Sequence, residues 1–180
     1  DDIERLIKRN KDLLDRIREE ARKLIERLKK VLEDDRRKVE RAIERLEEVV
    51  DEVRKLKKDT DDKDVERLLE RLKEEVKKIE EESKKLIDDL RKEVEDLVKR
   101  IEESIKTSHD EVREVERRLR NEEVLRKLKK ANEDVEREVR KMIEEVRRVL
   151  RKVEEDSKRT IKKLKDVLKK VAEEMEKVRR

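Results

Sequence analysis

Apolar residues in this chain recur at a step of eighteen positions. Ile7, Ile25 and Ile43 keep it, as do Leu14, Leu32 and Val50, and Leu13, Val31 and Val49. Val76, Val94 and Val112 repeat it, with Leu69, Ile87 and Ile105; the last third shows it as Val135, Val153 and Val171, and as Leu125, Ile143 and Ile161. Eighteen residues make five turns of an undistorted α-helix at 3.6 residues per turn. A seven-residue repeat imposes a left-handed supercoil and an eleven-residue repeat a right-handed one. The eighteen-residue step imposes neither, so it predicts long, nearly straight helices packed side by side.

Composition leaves two classes open. Of 180 residues, 62% are charged and none is aromatic, and Gly, Pro and Cys are absent. Strands draw on aromatic and β-branched residues and on Gly-rich turns. What remains is an all-helical protein or a disordered polyelectrolyte. The apolar phase decides for helix, because a disordered chain has no reason to hold phase over fifty residues. The 58 basic and 54 acidic side chains leave a net charge of +4, and the signs alternate throughout. A nucleic-acid footprint needs Lys and Arg gathered on one face. No apolar run approaches the ~20 residues of a membrane span, and no stretch reads as a signal peptide. The absence of Cys removes disulfides and thiolate chemistry.

Phase also places the helix ends. Glu33–Arg36 and Thr107–Glu111 look like turns by composition, and Ser108 with Glu111 mimics a capping box. Yet Leu32 and Val39 fall within about 20° of each other on a helical wheel, and so do Ile105 and Val112. The apolar face runs through both sites. It breaks where Leu56 and Val65 stand nine residues apart, and again between Leu119 and Leu128. Turns are therefore expected near Asp59–Asp61 and near Arg120–Asn121. Lys55, Lys57 and Lys58, then Asp61, Asp62 and Asp64, suit the ends facing the first turn. Arg117, Arg118 and Arg120 suit the second C-terminus, and Asn121 suits the N-cap of the third helix. The expected fold is all-α: an antiparallel up-down-up three-helix bundle of long, nearly untwisted helices at about 2–58, 62–119 and 122–180. Each is roughly 85 Å long at 1.5 Å per residue, and residues 1–180 form one elongated domain.

Polar residues interrupt the seams. Asn10 shares its register with Leu28 and Leu46, and Asp35 shares one with Ile17 and Val53. Ser83, Ser104 and Ser108 stand at seam positions of the second helix; Asn132, Ser157 and Thr160 do so on the third. Folding the chain at its two turns groups these eight into two levels. Asn10, Ser108 and Asn132 form one, with Ser104 a turn away. Asp35, Ser83 and Ser157 form the other, with Thr160 beside it. An unpaired buried polar group costs about 1–3 kcal/mol, whereas a paired one is roughly neutral. Clustering lets the groups serve one another, and a slipped register strands them. The reading adopted is that the layers specify register; the alternative is a ligand or metal pocket. Asp35 needs donors or a proton, and Lys38 or Lys84 is the expected partner.

Catalytic constellations are missing. His109 is the sole histidine. It lies beside Ser108, where neighbouring helical side chains do not face each other. It falls at the edge of the apolar arc: a satisfied boundary histidine, or a pH sensor, although one partly exposed imidazole makes a weak switch. No Glu-x-x-His motifs suggest a bundle metal site, no Gly-rich loop suits phosphate, and no aromatic ring suits base stacking. Val98 and Ala172, near the edges of their arcs, are flanking packing or the seat of a partner helix.

Three equal segments, seams of Leu, Ile and Val, Lys/Glu/Arg surfaces and polar core residues such as Asn10, Ser108 and Asn132 carry a resemblance. The whole chain resembles computationally designed, parametrically generated bundles, in particular straight three-helix bundles with an eighteen-residue repeat. The resemblance implies high thermal stability and no native activity. One departure is the lack of Gly in the loops. Spectrin-type repeats, the nearest natural comparison, carry aromatic core residues that this chain lacks. The resulting expectation is a scaffold with no catalytic, cofactor or metal residues, no required partner, no nucleic acid and no membrane. It is expected to be monomeric, with a homodimer as the alternative, and soluble in the cytoplasm of an expression host. A helical interaction module that docks or exchanges a partner helix is the second reading.

Overall fold

The computed structural model describes residues 2–56 and 61–179. They form three helices, α1 (Asp2–Lys55), α2 (Asp62–Arg118) and α3 (Glu122–Arg179). α1 runs unbroken through Glu33–Arg36 and α2 through Thr107–Glu111. Hydroxyls near the second site bond to their own helix rather than competing with it: Ser104 donates to the Arg100 carbonyl at 2.9 Å and Thr107 to that of Glu103 at 3.0 Å. This i to i−4 bonding leaves the helical ladder in place.

The helix ends show their chemistry. α1 stops at Lys55, short of the expected residue 58, and the Leu56 N–H donates to the Val53 carbonyl at 3.1 Å. Such a bond tightens a final turn and satisfies one of its free carbonyls. Residues 57 and 58, and the expected turn at Asp59–Asp61 apart from Asp61, lie outside the described residues. The Asp61 carboxylate accepts the Lys63 N–H at 3.1 Å, and the Asn121 side-chain carbonyl accepts the Glu123 N–H at 3.2 Å. Both are N-caps, each satisfying one of the donors that a helix start leaves free. α2 ends at Arg118, one residue before the expected end, and Leu119 donates to the Val115 carbonyl at 3.0 Å. No described residue has a positive φ. The turn at Leu119–Asn121 therefore makes no demand for glycine, which resolves the missing C-terminal Gly there.

The chain divides into two compact units, Asp1–Leu28 with Leu90–Arg151, and Lys29–Asp89 with Lys152–Arg180. In the first, α1 and α3 run parallel and α2 runs against both. Arg18 pairs with Glu138 at a separation of 120 positions, while Arg9 pairs with Glu111 across α1 and α2. In the second unit Arg36 and Arg54 meet Asp156 and Glu174, both at a separation of 120, which fixes parallel register. Lys38 meets Glu82, and Lys165 meets Glu80 at 2.8 Å, which gives the antiparallel contacts of α2.

Each unit has its own core. In the first, Ile17, Ile101 and Val139 pack together with Leu14 and Leu97, and Leu6, Val112 and Leu128 form a further cluster. In the second, Leu46, Val53, Val65, Leu72, Leu164 and Met175 share one cluster, with Leu168 packed against it. Full burial of one such side chain contributes about 1.5–3 kcal/mol. The eighteen-residue step maps onto burial: Val76, Val94 and Val112 are all buried. The Ile7, Ile25 and Ile43 register lies at the rim, with Ile7 41% exposed. Together the helices and their register make the chain an all-α, up-down-up three-helix bundle.

Candidate functional site

The site nearest to chemistry is the polar layer of the first unit. Asn10, Ser108 and Asn132, one from each helix, are all buried. Each stands where the eighteen-residue step elsewhere places leucine: Leu28 and Leu46 on α1, Leu90 and Leu72 on α2, Leu150 and Leu168 on α3. They take the places of core side chains and so share their burial. The Asn10 Nδ2 donates to Asn132 Oδ1 at 3.4 Å. The Ser108 Oγ lies 2.8 Å from Asn10 Oδ1 and 2.8 Å from Asn132 Oδ1. A hydroxyl carries one proton, so it serves one of these two acceptors at a time. Ser104 stays apart, bonded to its own helix.

Sequence reasoning missed what continues from this layer. Asn132 Nδ2 lies 3.1 Å from His109 Nδ1, and His109 Nε2 lies 2.9 Å from Glu136 Oε2. The other Glu136 oxygen accepts from Arg140 Nε at 3.2 Å and Nη2 at 2.9 Å. An amide nitrogen donates, so Nδ1 accepts; a carboxylate accepts, so Nε2 carries the proton. The two neighbours select the Nε2–H tautomer of neutral His109. The Arg140 hydrogen bonds, and then those of His109, hold the Glu136 carboxyl below the usual glutamate range against the opposing effect of burial. A buried triad thus leads through a half-exposed imidazole to a surface ion pair.

Of the residues expected at the second polar level, all in the other unit, the structure joins Asp35 and Ser83. Ser83 donates to the Asp35 carboxylate at 2.9 Å. Ser157 is buried, and Thr160 donates to its backbone carbonyl at 3.1 Å, a bond within α3. The lysines expected at Asp35 are engaged elsewhere, Lys38 with Glu82 and Lys84 with Glu80 at 3.3 Å. The reason is direction: helical side chains three and four apart share a face, which suits Lys84 and Glu80, whereas Lys38 reaches across to α2.

Charged side chains carry the same eighteen-residue step, a signal that the apolar pattern alone did not reveal. Arg18, Arg36 and Arg54 meet Glu138, Asp156 and Glu174. Arg9 and Arg27 meet Glu111 and Glu93. The pair Glu20 with Arg100 reappears one step later with its signs exchanged, as Lys38 with Glu82. Exposed pairs contribute about 0–1 kcal/mol each. Their recurrence matters more as a register mark, since a helix out of step meets the wrong sign.

Open grooves flank the first layer. One of about 500 Å³ between α1 and α2 is lined by Arg9, Asn10, Arg16 and Ser108 among others. One of about 530 Å³ between α2 and α3 is lined by His109, Glu136 and Arg140 among others. Among the described residues no cluster of three or more His, Cys, Asp or Glu is placed to hold a metal ion. No described helix is long and apolar enough to cross a membrane. Val98, expected near an arc edge, is buried.

The arrangement defines a class: a three-helix bundle with hydrogen-bonded polar positions inside its apolar seams. No protein-family model matches the chain, and no curated protein does. It is similar to a solved structure described as a computationally designed three helix bundle, at 24% identity over 99% of this chain and 95% of that one, with a TM-score of 0.41.

Proposed function

We propose that the chain is a designed structural scaffold, a single domain over residues 1–180 that catalyses no reaction, in which the buried polar layers specify register. One observation carries the reading: Asn10, Ser108 and Asn132, at core positions on three helices, direct hydrogen bonds to each other. A core that repeats every eighteen residues is nearly unchanged when a helix slides by that step. Within one chain the short turns forbid such a slide, which requires about 27 Å of extra chain at 1.5 Å per residue. Between two copies nothing in the apolar pattern forbids it. Polar groups that do not repeat at that step break the degeneracy, because every slid pairing sets the Asn10 and Asn132 amides against leucine.

The experiment is sedimentation equilibrium on the wild type and on the triple variant Asn10→Leu, Ser108→Leu, Asn132→Leu, which copies the leucines found one step away. The wild type should remain a monomer of 22.1 kDa. The variant should be at least as stable and should populate dimers after refolding at high concentration. A wild type that dimerises favours the interaction module instead, and a variant that stays monomeric removes the register role of the Asn10, Ser108 and Asn132 layer. The large apolar residues that are exposed among those described, Ile7 at 41% and Leu56 at 42%, belong to different units. The single-domain part has its own check: probes at residues 2–28 and 152–179 should report one denaturation midpoint.

A further inference from the structure

We infer that His109 is a proton-operated switch that reverses the direction of hydrogen bonding through the buried Asn10, Ser108 and Asn132 layer. The atom that responds is Nδ1. In the arrangement described it accepts from Asn132 Nδ2 at 3.1 Å. A proton taken from solvent onto Nδ1 turns that acceptor into a donor, and two donors then face each other. The relief within reach is a half-turn of the Asn132 amide about its terminal torsion, which exchanges oxygen and nitrogen at almost no change in shape.

The exchange propagates. After it, Asn132 Oδ1 accepts from the imidazolium, and Asn132 Nδ2 points at the Ser108 oxygen. That places Asn132 Nδ2 3.4 Å from Asn10 Nδ2, donor against donor, so the Asn10 amide turns as well and Ser108 accepts from both amide nitrogens at 2.8 Å. The conflict of one hydroxyl proton before two carbonyl oxygens disappears. The longest bond of the set, at 3.4 Å, reverses: Asn132 Nδ2 donates and Asn10 Oδ1 accepts. In neither arrangement does a donor face a donor, and the protonated one includes a charge-assisted bond, the stronger kind. No covalent bond changes, and the net event is uptake of one proton.

The charged groups around the ring accommodate the cation. From α3, Glu136 faces Nε2 at 2.9 Å and is itself held by Arg140. From α2, Glu102, Lys106, Asp110 and Arg113 line the same groove. α1 presents the uncharged Asn10, reached through Asn132. The Glu136 carboxylate accepts from Nε2–H in both protonation states, so the proton gained is the one on Nδ1. This makes the buried amides, and not the surface glutamate, the groups that must respond.

The test is nuclear magnetic resonance on the full-length protein labelled with nitrogen-15, across about pH 5 to 8, where imidazoles change charge. At the alkaline end the imidazole nitrogens should show the Nε2–H tautomer. On acidification the Asn132 and Asn10 side-chain amide signals should move with the same midpoint as the ring. The Asn132 amide protons should gain cross-relaxation to the Ser108 methylene and lose it to the His109 ring. In His109→Gln the pH dependence of both amides should vanish while the circular dichroism is unchanged. Amide signals that stay fixed through the ring midpoint overturn the inference, as do signals that still titrate in His109→Gln. If His109→Gln fails to fold, the wild-type titration decides alone.

Discussion

The Asn10 amide nitrogen lies 3.4 Å from the Asn132 carbonyl oxygen, between residues 122 positions apart in the chain. Neither partner is exposed, so each depends on the other and on Ser108 for bonds that water supplies in the unfolded chain. This dependence is measurable. Asn10→Leu and Asn132→Leu should each lower stability by about 1–3 kcal/mol, the cost of stranding a buried polar group. Asn132→Leu should cost more, because Asn132 also serves His109. The double variant should be no worse than Asn132→Leu alone, since Ser108 can turn to its own helix as Ser104 does. A urea double-mutant cycle decides: a coupling within about 0.5 kcal/mol of zero is what independent sites give, and it removes the shared layer.

Acid should weaken the fold in a defined direction. The Lys165 hydrogen bond holds the Glu80 carboxyl below its ordinary range, with Lys84 adding to it. Lys38 does the same for Glu82, and Arg140 for Glu136. A carboxylate with a folded pKa below its unfolded value stabilises the fold while ionised. That contribution is complete above the ordinary glutamate value of about 4.3. It is lost as the pH falls through the lower folded value. Urea midpoints should therefore be flat from pH 7 to about 5 and fall below about pH 4. Glu80→Gln should flatten part of the fall, and about 1 M salt should shrink it by screening. A wild type equally stable at pH 7 and pH 2.5 contradicts the assignment.

Asn121 should behave as a cap rather than a core residue. Its side chain satisfies the Glu123 N–H at the start of α3. Asn121→Ala should cost about 0.5–2 kcal/mol and Asn121→Gly only a few tenths. The check is thermal unfolding combined with amide exchange at Glu123, which should accelerate in the alanine variant. Equal losses for Ala and Gly would mean that backbone conformation, and not the side-chain bond, sets the helix start.

Much of this was legible in the residues. The phase of Leu32 with Val39 and of Ile105 with Val112 carried the helices through two stretches rich in turn-forming residues. The phase breaks after Leu56 and after Leu119 placed the two reversals to within a few residues. Helical rise and two short turns led to the expectation that Asn10, Ser108 and Asn132 share a level, and these three side chains hydrogen-bond to one another. The ion pairs were written in the sequence as well, since Arg36 and Arg54 keep the same step as the core, but exposed charges have no environment that the sequence alone defines.

Periodicity is a property of a single helix, so the sequence by itself determined which residues are helical and which face is apolar. Direction is a property of pairs of helices, and only the tertiary structure decided it. It gave Lys38 to Glu82 and not to Asp35, returned Ser104 to its own backbone, and joined His109 to Asn132 and Glu136. The reason is range. Rise and turn angle are set by backbone geometry within a few residues, whereas a hydrogen bond discriminates over tenths of an ångström and depends on how two packed surfaces are rotated against each other.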